Sequence, residues 1–189
     1  MSIRSGAEAI KVACAQTRNT PGMCQANVRS WFNAPAAGDV DHDGDADAID
    51  GWLSEPKWAR HPGDRNPPLG RPLSFGRKKG HRALTVPGGV RSTDMSGNRY
   101  KAGVTSTVTG TMPAAIAQIE RSMGVEYLGW SETIDGHPIP ADPKPKGTTV
   151  DEQAALNFES GKRPALVKRP RVKTRMKQII TRLRKGSEK

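Results

Sequence analysis

The sequence is poor in the residues that build large hydrophobic cores. Hydrophobic residues make up 34% of the 189-residue chain and aromatic residues 5%, whereas the chain has 20 glycines and 15 prolines. This composition predicts one small core with many loops, and it excludes a long helical bundle. The chain also lacks a long apolar run, and its start lacks a charged and then apolar segment that ends in small residues. We therefore expect neither a membrane span nor an export signal.

Cysteine is scarce as well. Cys14 and Cys24 are the two cysteines of the chain. Two are too few for a disulfide framework, and they lack the paired spacing of a structural zinc site. We expect two free thiols in a reducing cytosol, with a local Cys14–Cys24 bridge as the alternative. One cysteine that meets a distant histidine in the fold is also the usual arrangement of a nucleophile.

Positive charge is concentrated at one end of the chain. The net charge is +11, and residues 162–189 hold twelve of the 30 Lys and Arg residues but a single acidic residue. Residues 1–161 are therefore neutral. Four apolar residues recur at helical spacing between positions 176 and 183, which predicts a short basic amphipathic helix after a flexible lead. Such a tail fits attachment to nucleic acid, to an anionic wall or membrane surface, or to an acidic face of a larger assembly, and equally a solvated end.

Two helices are predicted in the first part of the chain. Residues 6–16 carry a weak apolar stripe, and Pro21 and Gly22 then end a polar turn. From Cys24 onward, apolar residues follow at i, i+4, i+7 and i+8, which indicates a helix with one buried face. Cys24 therefore lies in the first turn of that helix, where unpaired backbone N–H groups and the helix dipole favour its thiolate form.

An acidic loop follows these helices. Carboxylates at loop positions 1, 3, 5, 7, 9 and 12, with a glycine at position 6, reproduce the spacing of a calcium-binding loop. The carboxylates are those of Asp39, Asp41, Asp43, Asp45, Asp47 and Asp50, and the glycine is Gly44. Asp50 is shorter than the glutamate usual at position 12. Because six carboxylates this close would repel one another strongly, we predict a structural Ca²⁺ site, with a solvated acidic loop as the alternative.

The remainder of the chain predicts short strands and one further helix. The strands are predicted at 72–75, 81–86, 90–94 and 127–130, and the helix at 113–123. If Gly88 and Gly89 form a two-residue hairpin turn, Ala83 lies opposite Asp94, and His81 shares a face with Ala83, Ser92 and Asp94. A three-residue loop would instead place Thr93 beside His81. Leu84 and Val86 take the other face, toward the core.

Several segments, taken in order, resemble a known family. GMCQANVRSWF, PPLGRPLSF, GHRALTV and VRSTD are similar to the cysteine- and histidine-dependent amidohydrolase/peptidase (CHAP) and NlpC-type peptidoglycan hydrolases. GDVDHDGDADAIDGW and YLGWSETIDG resemble more narrowly the peptidase domains of actinobacteriophage lysins and virion-associated cell-wall hydrolases. The resemblance covers about residues 8–140. It implies a papain-like α+β fold, with N-terminal helices packed on a small antiparallel sheet, over residues 1–140. A linker at 141–161 and the basic tail at 162–189 would follow.

The resemblance also implies catalytic roles. Cys24 matches the family nucleophile, His81 matches the general base, and Asp94 is the candidate for the third catalytic residue. The oxyanion donors would be the Cys24 backbone N–H and one upstream polar side chain, for which Gln16 is a candidate. The implied reaction is cleavage of a peptide or amide bond of the bacterial cell wall.

The implied setting is a phage virion, in its tail, or the host cytoplasm before assembly. The partners would be the peptidoglycan substrate and other virion proteins, which the basic tail would contact. The alternative function is a structural virion protein that uses the hydrolase fold as a scaffold and the tail for docking. Nucleic acid is a third candidate partner, although the neutral body and the lack of a base-reading motif count against it.

Overall fold

The computed structural model of the protein describes residues 2–77 and 79–143. The predicted tail at 162–189, and the linker beyond residue 143, lie outside the described residues. Their helix and their partners therefore stay predictions. The residues that carry the proposed chemistry all lie within the described part.

The described helices begin and end at clear sequence signals. They are α1 (Gly6–Ala15), α2 (Cys24–Phe32), α3 (Ala48–Leu53) and α4 (Met112–Met123), with a short 3₁₀ turn at Lys57–Ala59. The side chains of Ser5 and Glu8 form a capping box at the start of α1. α4 ends at Gly124, whose φ of 65° is left-handed. No helix in the described ranges combines the length and apolar character of a membrane span.

The strands form one six-stranded antiparallel sheet and two small hairpins. The strands are β1 (Arg60–Pro62), β2 (Pro72–Gly76), β3 (His81–Val86), β4 (Gly89–Ser92), β5 (Met95–Ser96), β6 (Arg99–Tyr100), β7 (Ser106–Thr109), β8 (Glu126–Ser131), β9 (Thr133–Ile134) and β10 (His137–Pro138). The large sheet has the order β1-β8-β2-β3-β4-β7, and the hairpins are β5-β6 and β9-β10. The predicted α+β class with a small antiparallel sheet is therefore confirmed.

Helices cover both faces of this sheet. On one face, Leu84 and Val86 of β3 pack with α1 and with Trp31 of α2. On the other face, Ala83 and Val90 pack with Ile116 and other apolar residues of α4. Alternate residues of β3 therefore enter two different cores, as the pleat of a strand requires.

The hairpin that carries His81 differs in register from the prediction. Val86 pairs with Gly89, and Ala83 pairs with Ser92, so the predicted Ala83–Asp94 pair is wrong. The turn residues are Pro87 and Gly88, a pair typical of a type II turn, and Gly88 has a φ of 80°. Gly89 belongs to β4, where it pairs with Val86. This position is a glycine because a side chain there would collide with the carbonyl oxygen of Val108 on β7. The shift preserves parity, so the predicted sharing of a face holds for His81, Ala83 and Ser92. Asp94 lies beyond the end of β4 with a left-handed φ of 54°, so its predicted place on this face is wrong.

Candidate active site

Cys24 is the first residue of α2 and lies at the start of β3 in space. Cys24 is 7% exposed, and the backbone N–H groups of Arg82 and Gln25 act to lower the pKa of its thiol. Burial nevertheless raises the pKa of the Cys24 thiol above its ordinary value. The helix terminus was expected to favour the thiolate, but desolvation outweighs these donors. Cys24 therefore rests as a thiol and needs a base.

Cys14 offers a contrasting environment. It lies near the end of α1 and is exposed, whereas Cys24 is buried, and both cysteines are free thiols. The prediction of two free thiols is confirmed. Cys14 is therefore a natural control for experiments on Cys24.

His81 opens β3 and is held on the face that it shares with Ser92. The ring is 4% exposed, and its Nε2 lies 2.8 Å from Ser92 Oγ. The Ser92 hydroxyl donates to the carbonyl oxygen of Thr93 at 3.1 Å, so its oxygen is left to accept the Nε2–H. This assignment leaves the lone pair of the imidazole on Nδ1. Burial lowers the pKa of His81 to about 4, against the opposing effect of Asp94.

Asp94 binds the loop in front of α2. Its carboxylate accepts Asn19 Nδ2 at 2.9 Å, the Gly22 N–H at 3.1 Å and the Gly103 N–H at 2.8 Å. Asp94 itself has a φ of 54° and is buried. Its described hydrogen bonds therefore fix the segment that precedes Cys24, whereas the His81 ring donates its hydrogen bond to Ser92. Its role as the third catalytic residue stays a prediction.

Gln16 uses its amide groups within the protein. Its Nε2 donates to the Arg18 carbonyl oxygen at 2.8 Å and to Asn27 Oδ1 at 2.6 Å. Its Oε1 accepts the indole N–H of Trp31 at 2.6 Å. Both amide hydrogens are thus occupied, which does not fit an oxyanion donor. Gln16 instead joins α1 to α2.

An open cleft lies beside Cys24. Its walls come from the start of α2, from Asp45 and Asp47 of the acidic loop, and from Lys79 and Gly80 just before His81. Lys79 forms an ion pair with Asp45. The acidic loop is therefore one wall of the cleft that holds the thiol.

The structure divides the six predicted metal ligands into two groups. Carboxylate oxygens of Asp39, Asp41 and Asp43 lie within 4.8 Å of one another. The other three carboxylates have protein partners: Asp45 pairs with Lys79, Asp47 caps α3, and Asp50 accepts three backbone N–H groups. These donors lower the pKa of Asp50 although burial acts against them. Three of the six residues are therefore brought together as a candidate cation site.

A buried charged cluster also borders the site, and the sequence did not suggest it. Arg82 is fully buried, and its guanidinium donates to Glu55 at 2.8 Å and to Asp135 at 2.7 Å. Glu55 also accepts the backbone N–H groups of Asp135 and Gly136. Because the Arg82 backbone lies against the Cys24 sulfur, this cluster fixes the strand next to the thiol.

The low pKa of His81 predicts a pH-dependent stability. Its pKa falls from 6.5 to about 4 on folding, so between these values the unfolded chain binds a proton that the folded chain does not. The free energy of unfolding should therefore rise with pH through this window, and the contribution of His81 should be fully present above it. From about pH 7 to about pH 5, the parent should lose about 2 kcal/mol more than His81→Gln in urea unfolding. Equal losses in both proteins would show that His81 is not buried in its neutral form.

Comparisons of the chain with protein-family models, with curated proteins and with solved structures find no match.

Proposed function

We propose that the protein is a cysteine hydrolase that cleaves a peptide or amide bond of the bacterial cell wall. One observation carries this proposal: the Cys24 thiol, at a helix start, lies against the backbone of Arg82, the residue next to His81. The Cys24 thiol lines an open cleft, and the neutral imidazole of His81 opens the strand beside it. The resemblance of residues 8–140 to CHAP and NlpC-type enzymes supplies the substrate and the papain-like interpretation of the fold.

The chemistry would follow from the resting state of the pair. His81 Nδ1 takes the proton of the Cys24 thiol as the sulfur attacks the carbonyl carbon. The imidazolium then gives this proton to the leaving amine, and a thioester to Cys24 remains. Water, deprotonated by the same ring, hydrolyses the thioester and restores the thiol. Ser92 holds the ring through Nε2, so Nδ1 stays the basic atom throughout.

The start of α2 provides donors for the developing oxyanion. No side chain caps this helix. The Cys24 backbone N–H, at the positive end of the helix dipole, would therefore donate to a substrate oxygen next to the thiol. The loop that Asp94 binds sets the position of this helix start.

The burial of Cys24 and His81 also fits the alternative function. A buried thiol with a raised pKa and a neutral imidazole are compatible with a structural virion protein built on a hydrolase fold. Docking through the tail concerns residues outside the described ranges, and location in a virion tail or in the host cytoplasm stays a prediction.

A zymogram on actinobacterial cell wall separates the two functions. We expect the parent protein to clear the wall and to release fragments with new amino termini, identified by mass spectrometry. If the folded parent clears none of a panel of walls and releases no fragments, the structural function is favoured.

We also infer that Asp39, Asp41 and Asp43 hold one Ca²⁺. Their convergent oxygens are the hard ligands that calcium prefers, and a divalent ion would offset the repulsion among three like charges at this spacing. Backbone N–H groups of Asp43 and Gly44 already bind Asp39 and order the loop. The ion would supply charge compensation to a wall of the cleft, without a role in bond cleavage.

Removal of calcium should therefore lower thermal stability. We expect the melting temperature of the parent to fall by a few degrees when a chelator replaces excess Ca²⁺, because the ion binds the folded state alone. The matched variant carries Asp39→Asn and Asp41→Asn together. It should melt at the same temperature under both conditions, and a parent that does the same would contradict the calcium assignment.

A further inference from the structure

A second, smaller pocket adjoins the Cys24 cleft. It has room for one group of about the size of a water molecule, and it shares Gln25, Ala46 and Asp47 with the wall of the cleft. Asp135 and Asp50 form its inner side. Because the two pockets share this wall, a substrate bound in the Cys24 cleft could place a group in the smaller pocket.

Two oxygen atoms of the residues that line this pocket lack a hydrogen-bond donor. They are Asp135 Oδ2 and Gln25 Oε1, and both atoms are buried. Asp135 is 4% exposed, and its other oxygen already accepts Arg82 at 2.7 Å and Gln25 Nε2 at 2.6 Å. The contact between Gln25 Nε2 and Asp135 Oδ1 fixes the orientation of the Gln25 amide, because a flipped amide would place its oxygen against the carboxylate oxygen. Unpaired buried acceptors are costly, so a donor from outside the protein, either a water molecule or a ligand group, would stabilise this pair.

The charge around the pocket is negative. Arg82 and Arg29 face four carboxylates, those of Glu55, Asp135, Asp47 and Asp50, which leaves a formal charge of about −2 in this arrangement. A donor that brings positive charge would therefore be favoured over a neutral one.

A metal ion fits this pocket less well than an ammonium group. Within the described residues, the acidic side chains that approach one another closely enough to share an ion are Asp39, Asp41 and Asp43. The carboxylates around Asp135 do not converge in this way, and Asp50 already accepts three N–H groups. An ammonium group needs only separate acceptors at its hydrogens.

We propose that this pocket binds an ammonium group of the substrate, so that the protein acts on peptides with a free amine near the cleaved bond. The inference rests on the proposed hydrolase function and specifies its substrate class. Asp135 Oδ2 and Gln25 Oε1 accept two hydrogens of the ammonium, and Asp47 contributes charge from the shared wall.

The test compares soluble wall peptides that carry one free amine with the same peptides after N-acetylation. In the parent, acetylation should lower kcat/KM about tenfold or more, because a charged hydrogen bond is lost and a carbonyl group enters a pocket of acceptors. In Asp135→Asn, an amide N–H₂ replaces the acceptor, and the preference for the free amine should disappear. Asparagine tolerates the left-handed backbone of Asp135, whose φ is 51°, so this variant should fold.

Two further proteins keep the result specific. Gln25→Met removes the second acceptor and should reduce the preference, while Glu126→Gln removes an exposed carboxylate that lines neither pocket and should leave it unchanged. Calorimetry on the Cys24→Ser variant measures the affinity of the pocket for both peptide forms in the absence of catalysis. Equal affinity for both forms there, or equal kcat/KM in the parent, would overturn the ammonium site and leave the hydrolase function intact. If the parent cleaves neither form, the hydrolase function fails, and the calorimetry alone then decides on the ammonium site.

Discussion

Replacing Cys24 by serine should lower hydrolysis of wall peptides by about a thousandfold or more. The thiol forms the covalent bond to the substrate, and a hydroxyl in the same place is a far weaker nucleophile beside a neutral imidazole. The fold should survive, because serine has nearly the size of cysteine and can take the same place against the Arg82 backbone. Rates on a soluble wall peptide, together with a melting curve, measure both expectations.

Cys14→Ser is the matched control for this result. Cys14 is the other free thiol, and it is exposed on α1. Its replacement should change the rate by less than about twofold, since an exposed side chain outside the cleft contributes little to either stability or catalysis. If Cys14→Ser is inactive while Cys24→Ser is active, the nucleophile has been assigned to the wrong residue.

Replacing Arg82 by methionine should lower the free energy of unfolding by about 3–5 kcal/mol. The substitution leaves the carboxylates of Glu55 and Asp135 buried without their cation, and uncompensated buried charge is expensive. The strand end that contacts the Cys24 sulfur should loosen as well. Urea unfolding gives the stability, and hydrogen exchange of β3 amides gives the local effect.

Arg65→Met provides the comparison. Arg65 also makes two hydrogen bonds to a carboxylate, that of Glu120, but its side chain is 39% exposed. Because water replaces the lost partner, this substitution should cost at most about 1 kcal/mol. Equal losses for the two variants would show that the Glu55–Arg82–Asp135 cluster is not the buried anchor described above.

The sequence predicted the elements that carry the proposed chemistry better than it predicted their environment. The helix that begins at Cys24 and the strand that begins at His81 were both found by apolar periodicity and turn residues. The side-chain faces within the paired part of the hairpin were also right, whereas the pairing was shifted. Gly89 looked like a turn residue, but it is a glycine because β7 lies too close for a side chain.

Elements with few apolar residues were missed for a related reason. β7 has one buried residue, Val108, and β1 consists of Arg60–Pro62, so neither carries the alternation by which a strand is recognised. The Glu55–Arg82–Asp135 cluster was missed because charged residues are normally exposed. Nothing in the local sequence indicates that residues so far apart in the chain meet in a buried network. The raised pKa of Cys24 follows from the same packing.

Chemical modification of Cys24 tests most directly whether hydrolysis requires its thiol. In a Cys14→Ser background, iodoacetamide modifies Cys24 alone, and mass spectrometry reports the modified fraction while activity is measured on the same samples. We expect activity to fall in proportion to that fraction, and wall peptide to slow the modification. Full modification of Cys24 with wall hydrolysis retained would contradict the account.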